Sequence, residues 1–341
     1  MKIVKKGIKL RSLLYEETVY ISTGEIIKTF FADNVIVIKR SKSKNTFCAV
    51  QIDTPKNIET NSFFKNKWHR FIGTPCRSHF IWPIDLILLN DLEPQCFLVY
   101  NFVSDSRYQS LSQLAFSQKI YGVENKAARA IAIELAKAFV FLEGNHFLFI
   151  GLDDDTIFVN DKMTRVLLPI HELMIPDDEK EIYFSQKDFF SEVIDPFSYN
   201  NSKIMKSGNK IFTYDKASEY FAFVSVLFKI MIGLYPFEGP YVSEFAYSTN
   251  SEANIEWINR YLQNPVFVFD PVDTSNSVSI YNKNIIHCQR WNEISEDMRE
   301  MFISTFKNEN VLRSKLPLEC YSANQWYTAL KNDFLKYDQN E

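Results

Sequence analysis

Glycine and proline are sparse in this chain, at 9 and 12 residues of 341. Their scarcity excludes collagen-like and low-complexity architectures and points to an ordered globular protein. Cysteine is equally thin. Cys48, Cys76, Cys96, Cys288 and Cys320 stand singly, and an odd count without a C-x-x-C spacing argues against both a disulfide framework and a zinc knuckle. Cys48, Cys76 and Cys96 lie in or near apolar segments and read as small core hydrophobes. Charge of one sign is also missing: 38 basic residues face 42 acidic ones, for a net charge of -4. That balance gives no electrostatic footprint for nucleic acid, and no DNA- or RNA-binding motif accompanies it. Long apolar runs are absent too. The most apolar helical stretch, near Tyr220–Leu234, is shorter than a membrane span and contains Lys229. The start, Met1-Lys-Ile-Val-Lys-Lys-Gly7, carries no apolar h-region of a signal peptide. A cytoplasmic protein without a membrane span is expected, or one delivered by a route that leaves no readable N-terminal signal.

What is abundant is aromatic: 15% of the chain, with 30 Phe and 17 Tyr. A chain of this size buries a substantial core. The first hundred residues read mainly as strands. Val35-Ile-Val-Ile38 and Thr46-Phe-Cys-Ala-Val-Gln-Ile52 flank a polar turn and predict a hairpin. Helical periodicity follows over Glu59–Ile72, then strand-like runs at Ile84–Leu89 and Cys96–Val103 around Asn90-Asp91. Together these predict a small, mostly antiparallel sheet with one helix. The run Lys39-Arg-Ser-Lys-Ser-Lys44 reads as a solvated β-turn, with a phosphate or lipid-headgroup patch as the alternative.

After Ser104 helices dominate. Asn125–Leu142, Glu219–Gly233 and Trp291–Asn308 carry apolar residues at helical spacing, the second ended by Gly233 and Pro236. Short strands are expected at Phe147–Ile150, Thr156–Asn160 and Arg165–Leu168. The polar stretches Asn200–Asn209 and Asp273–Asn284 read as loops.

Ordered motifs give this layout a family resemblance. Glu219-Tyr-Phe-Ala-Phe-Val-Ser-Val-Leu-Phe-Lys-Ile-Met-Ile-Gly-Leu-Tyr-Pro-Phe-Glu-Gly239 resembles the central buried helix of protein kinases and the segment that follows it. Trp291-Asn-Glu-Ile-Ser295, Met298-Arg-Glu-Met-Phe302, Phe306, Arg313 and Trp326 resemble the last kinase helices. Phe80-Ile-Trp-Pro-Ile-Asp-Leu-Ile87 and Phe267-Val-Phe-Asp-Pro-Val-Asp-Thr-Ser-Asn276 look like elements of a bacterial kinase-like family. Its members are often encoded beside protein phosphatases and von Willebrand A domain proteins. The resemblance runs from about Ile21 to Leu330. It implies an α+β, bilobal protein-kinase-like fold, with a small antiparallel β-rich N-lobe (1–103) and a larger, mainly helical C-lobe (104–341).

Phosphoryl transfer needs a Lys on the phosphates, two metal-binding side chains and an Asp orienting the hydroxyl. The resemblance places none of them in this chain. Gln51 follows Ala49-Val50 where the phosphate-binding Lys belongs, and a neutral amide cannot neutralise a polyphosphate. Glu59 is the candidate for that Lys's acidic partner. In Gly151-Leu-Asp-Asp-Asp-Thr-Ile-Phe-Val-Asn160, Gly151 falls at the catalytic Asp and Thr156 at the metal-binding Asn. Ile170, in Arg165-Val-Leu-Leu-Pro-Ile-His171, falls at the second metal ligand. His171 is a possible ligand by chemistry, and as a lone His after an apolar run it reads as structural. Gly24 is the lone glycine of Tyr20-Ile-Ser-Thr-Gly-Glu25, where a phosphate loop would need several, and a tight hairpin turn is the plainer reading. Asp153-Asp154-Asp155 could hold Mg²⁺ or Ca²⁺, but contiguous side chains diverge, and a solvated turn is preferred. Glu219 stands where kinases use a buried Asp to hold the catalytic-loop backbone. Arg313 matches a conserved-type C-lobe Arg, whose Pro-Glu partner is replaced near Asp195-Pro196.

The function so implied is that of a pseudokinase: a signalling scaffold that binds another protein, with no catalytic, cofactor or metal residues. A phosphatase, an active kinase or a von Willebrand A domain protein is the implied kind of partner. The surfaces His171–Asn209 and Tyr235–Tyr247 are the candidate docking regions. The alternative is an unconventional Ser/Thr kinase or nucleotide-binding regulator with displaced residues, Lys28 or Lys39 replacing the lost Lys. A small-molecule phosphotransferase of the aminoglycoside type shares the fold but also needs the catalytic Asp.

Overall fold

The computed structural model describes residues 5–41, 45–55, 61–74, 78–89, 94–101, 107–116, 125–171, 174–177, 183–185, 191–204, 210–243, 256–278, 285–312 and 321–340. Glu59, Cys76, Asn90-Asp91, Arg313 and Cys320 lie outside these, as do parts of the two candidate docking regions. The chain divides into two compact units. The first is Met1–Leu111 with Thr156–Lys162 and Val166–Met174; the second is Ser112–Asp155, Met163–Arg165 and Ile175–Glu341.

The first unit is built on β1 (Lys9–Ser12), β2 (Val19–Ile27), β3 (Val35–Arg40), β4 (Thr46–Ile52), α1 (Ser62–Gly73), β5 (Phe80–Ile81), β6 (Pro83–Leu89) and β7 (Gln95–Tyr100). Six of these strands close into an antiparallel barrel in the order β1-β2-β3-β4-β7-β6, with β1 returning to pair β6. The antiparallel sheet expected from the sequence thus closes on itself. The closing strand is four residues long and alternates exposed and buried positions, too short a pattern to read from sequence. Leu10, Tyr20, Ile36, Ile38, Phe47, Ala49, Ile87, Leu89, Phe97 and Val99 form one buried cluster. One carboxylate is sealed among the strands. Asp85 accepts from Ser12 Oγ (2.7 Å), Tyr20 OH (3.1 Å) and its neighbour Leu86 N–H (2.8 Å). It therefore ties β1 and β2 to β6 while burial pushes its carboxyl up.

Helix α1 starts where Asn61 accepts from Phe64 N–H at 2.9 Å, and it buries Trp68 and Phe71 completely. A second sheet of this unit has the order β5-β11-β10-β8, from β8 (Tyr108–Ser110), β10 (Phe158–Asn160) and β11 (Val166–Pro169). Gly24 is not at a hairpin tip. It lies inside β2 at a register shift, with φ +79°, and a Cβ there would meet Lys6 Cβ at 2.8 Å.

The second unit is mainly helical. It contains α2 (Leu111–Phe116, whose first residue belongs to the first unit), α3 (Asn125–Gly144), β9 (Phe147–Leu148), which pairs β12 (Ile175–Pro176), and α4 (Pro196–Asn200). A three-stranded sheet orders β13 (Tyr183–Ser185), β15 (Lys210–Thr213) and β14 (Lys203–Ile204). Then come α5 (Lys216–Ile232), α6 (Pro240–Ser243), a π-helical turn (Asn259–Gln263), α7 (Ile285–Glu293), α8 (Glu296–Phe306), α9 (Asn308–Val311) and α10 (Ala323–Asn340).

Helix α5 is buried on every face from Ser218 to Ile232 except at Lys229. A helix apolar all round belongs in a core. Asp215 caps its start and Gly233, at φ +96°, ends it. Phe228 on α5 meets Phe267, Phe302 and Phe306 at 5.2–5.8 Å between ring centroids. The single helix expected over Trp291–Asn308 is instead broken at Ser295. That residue is extended, and its N–H donates to Asp333 Oδ1 at 2.6 Å, while Glu296 and Asp297 start α8 beside its N-terminal dipole. Among the described residues no helix is long and apolar enough to cross a membrane.

Candidate functional site

The loop after β9 carries the most constrained chemistry of the second unit. Phe149, Ile150 and Leu152 are all buried, anchoring the loop by its apolar side chains. Between them Gly151 holds φ +82°, a left-handed conformation that costs other residues energy. Phe149 N–H donates to Glu219 Oε1 at 2.7 Å, and Tyr214 OH donates to the other oxygen at 2.7 Å. Burial pushes the Glu219 carboxyl up to about 7, even though both hydrogen bonds favour its ionised form. Glutamate on the first turn of α5 thus reaches the loop backbone despite its extra methylene.

The three aspartates that follow do not share one site. Asp153 is 8% exposed, and its Oδ1 accepts from Asp155 N–H at 2.8 Å, closing a local turn. Asp154 receives Tyr235 OH and lies 3.7 Å from Lys229 Nζ, which stacks 4.1 Å over the Tyr235 ring. Asp155 accepts from Ser112 Oγ, and Ser112 N–H donates to the Asp154 carbonyl at 3.0 Å. The turn is therefore present, but it is not simply solvated. Asp153 is enclosed, and Asp154 is tied to Lys229 of α5.

Asp195 caps α4, accepting from Phe197 N–H (3.2 Å) and Ser198 Oγ (2.8 Å), and Ser198 Oγ meets Ser218 Oγ of α5 at 3.0 Å. The segment Asp195–Ser198 is thereby fastened to the buried helix through hydroxyls.

In the first unit Gln51 is exposed on β4, opposite Phe97. Thr156 is half-buried. Ile170 is 1% exposed; its N–H donates to Ile81 O at 3.1 Å and its carbonyl accepts Tyr100 OH at 2.7 Å. Its side chain is core and offers no ligand atom. His171 is held neutral, its imidazole pushed down to about 4 by burial and by Lys67. Glu25 and Lys39 are exposed, and Lys28 is ion-paired to Asp33 at 3.0 Å. Among the described residues no group of three His, Cys, Asp or Glu side chains could hold a metal ion.

Sequence reasoning missed Tyr214, Lys229 and Tyr235, whose partners lie 5 to 81 positions away.

No protein-family model and no curated protein matches the sequence. Among solved structures, the chain is similar to the kinase domain of a Toxoplasma gondii specific rhoptry antigen. The TM-score is 0.51 and the identity 13%, over 98% of this chain and 88% of that one. Likeness at that identity concerns the fold alone. With its β-rich N-terminal and helical C-terminal regions, the chain has a kinase-like fold.

Proposed function

We propose that this chain is a pseudokinase, a kinase-like module that binds another protein and does not transfer phosphate. The observation that carries this reading is Ile170. At the position assigned to a metal ligand, it is a core residue whose backbone is committed to Ile81 and Tyr100. Gln51, Gly151 and Thr156 add three further losses of the groups that bind phosphate, orient a hydroxyl and hold metal. Restoring the chemistry by displaced residues would require replacing all four together. Lys28, one candidate cation, is instead exposed and paired with Asp33.

The finer assignment, a cytoplasmic member of a bacterial kinase-like signalling family, rests on the motif resemblance. So does the kind of partner: a phosphatase, an active kinase or a von Willebrand A domain protein. Calorimetry with ATP and Mg²⁺ tests the reading. No magnesium-dependent binding is expected at concentrations up to about 1 mM. Tighter magnesium-dependent binding, with phosphate transfer lost in Asp153→Asn or Asp154→Asn, would establish the displaced-kinase alternative instead.

A further inference from the structure

A cavity of about 620 Å³ opens in the second unit, among α3, α4, α5 and the start of α10. Its size is that of sites for drug-sized ligands. Phe139, Phe147, Phe197, Tyr220, Phe223 and Tyr321 supply its aromatic walls, and Phe139 and Phe223 stack at 4.3 Å. None of the groups discussed above as remnants of phosphotransfer lines it except Glu219, whose two oxygens are already engaged.

The charged part of the lining is predominantly acidic: Glu143, Asp177, Asp215 and Glu219 against Lys216. Lys216 is spent on Asp177, 2.7 Å away, whose same oxygen also meets His146 Nδ1 at 3.1 Å. Glu143 uses Oε2 to accept from Ala323 N–H at 3.0 Å, and Asp215 uses Oδ1 to cap α5. Glu143 Oε1 and Asp215 Oδ2 have no protein partner among the described residues. Aromatic faces and uncommitted carboxylate oxygens together favour a cation carried on an apolar body and oppose an anionic one.

We propose that this cavity is a binding site for a small organic cation of the aryl-alkyl amine class. Apolar and aromatic contacts hold the body, and the ammonium pairs with Glu143 and Asp215. The site does not depend on whether the protein transfers phosphate.

The test uses the intact chain and three probes of one shape: 4-phenylbutylamine, 4-phenylbutanol and 4-phenylbutanoate. Calorimetry should show one saturable site, with the amine bound roughly tenfold or more tighter than the carboxylate. Glu143→Gln and Asp215→Asn keep the hydrogen bonds to Ala323 and Ser218 and remove the charges. Together they should bring amine and alcohol to similar affinity. Ala217→Phe, which fills the cavity from α5, should abolish binding of all three, with Ala217→Leu as the milder variant if the first fails to fold. The proposal is overturned by no saturable amine binding at about 5 mM, or by a carboxylate that binds as tightly. It is equally overturned by an amine preference that survives both charge removals, or by undiminished binding in the filled variant.

Discussion

Glu219 shows how one side chain is made to serve a backbone. The residue is 7% exposed and its carboxylate accepts from Phe149 and Tyr214, yet burial raises its pKa from 4.5 to about 7. A folded-state value above the unfolded one means the neutral form is favoured on folding. The stability it contributes is complete below pH 4.5 and is lost as the pH rises to about 7. Glu219→Gln removes that titration and retains an acceptor for Phe149. Its urea midpoint should therefore fall less than that of the wild type between pH 4.5 and pH 7. The difference is on the order of a few kcal/mol at most, and parallel profiles for the two proteins would defeat the assignment. His171, lowered from 6.5 to about 4, acts in the opposite sense, contributing stability above 6.5 that is lost as pH falls. The comparison between variants, rather than the wild-type profile alone, isolates Glu219. Gly151 makes a second residue-scale case. At φ +82° between buried Ile150 and Leu152, it suits glycine for backbone reasons independent of catalysis. Gly151→Asp should cost about 1–2 kcal/mol in chemical denaturation and produce no ATP turnover. A stable variant with phosphotransfer activity would show that this single side chain was what the site lacked.

At the scale of elements, legibility follows length and saturation. Helices α3 and α5 were readable because their apolar spacing runs through 20 and 17 residues. Strand β1 was not, since two inward positions make no period. The break at Ser295 was hidden for another reason: its extended backbone is held by Asp333, 38 residues away. Individual carboxylates divide the same way. Asp85 was visible as part of Trp82-Pro-Ile-Asp-Leu86, but its role in pinning β1 appears only when Ser12 and Tyr20 are brought to it. Asp153 was read as solvated because three adjacent aspartates resemble a surface turn, and only the folded loop encloses it. The same long-range logic gives α10 its anchor. Arg129 of α3 and Asp333 of α10 are each 2% exposed in their side chains and meet at 2.7 Å. The guanidinium also reaches Glu293 O at 3.1 Å and stacks 4.1 Å over Tyr337. Asp333→Ala would strand a buried cation and two hydrogen-bond donors, and should cost about 3–5 kcal/mol in urea denaturation. Replacing both partners, Arg129→Met with Asp333→Leu, should recover part of that loss. A single variant no less stable than the double would mean the pair is not a buried anchor.

At the scale of the whole molecule, chain order and structural order part company. The first unit takes Met1–Leu111 and then two later segments, Thr156–Lys162 and Val166–Met174. The returning strands are integral to it. β10 pairs β8 through Phe158 with Ser110 and Val159 with Gln109, and β11 runs parallel to β5, with Leu168 opposite Phe80. Leu168 and Ile170 also send their N–H groups to His79 O (2.9 Å) and Ile81 O (3.1 Å). Tyr100 at the end of the barrel's β7 donates to Ile170 O. Removing 156–174 would leave β5 and β8 as unpaired edges and expose the faces that Phe158, Leu168 and Ile170 cover, a recipe for association rather than for an independent fold. A fragment of residues 1–111 should therefore show a broad, weakly cooperative urea transition and aggregate. The same fragment with 156–174 joined through a short Gly/Ser linker should unfold in one sharp transition as a monomer. A sharp transition and monomeric elution for 1–111 alone would show that the barrel and α1 are self-sufficient and the returning strands an accessory. The opposite outcome makes them structural members of the first unit. The segment that ends in Ile170 would then be kept for its packing even where it carries no metal-binding side chain.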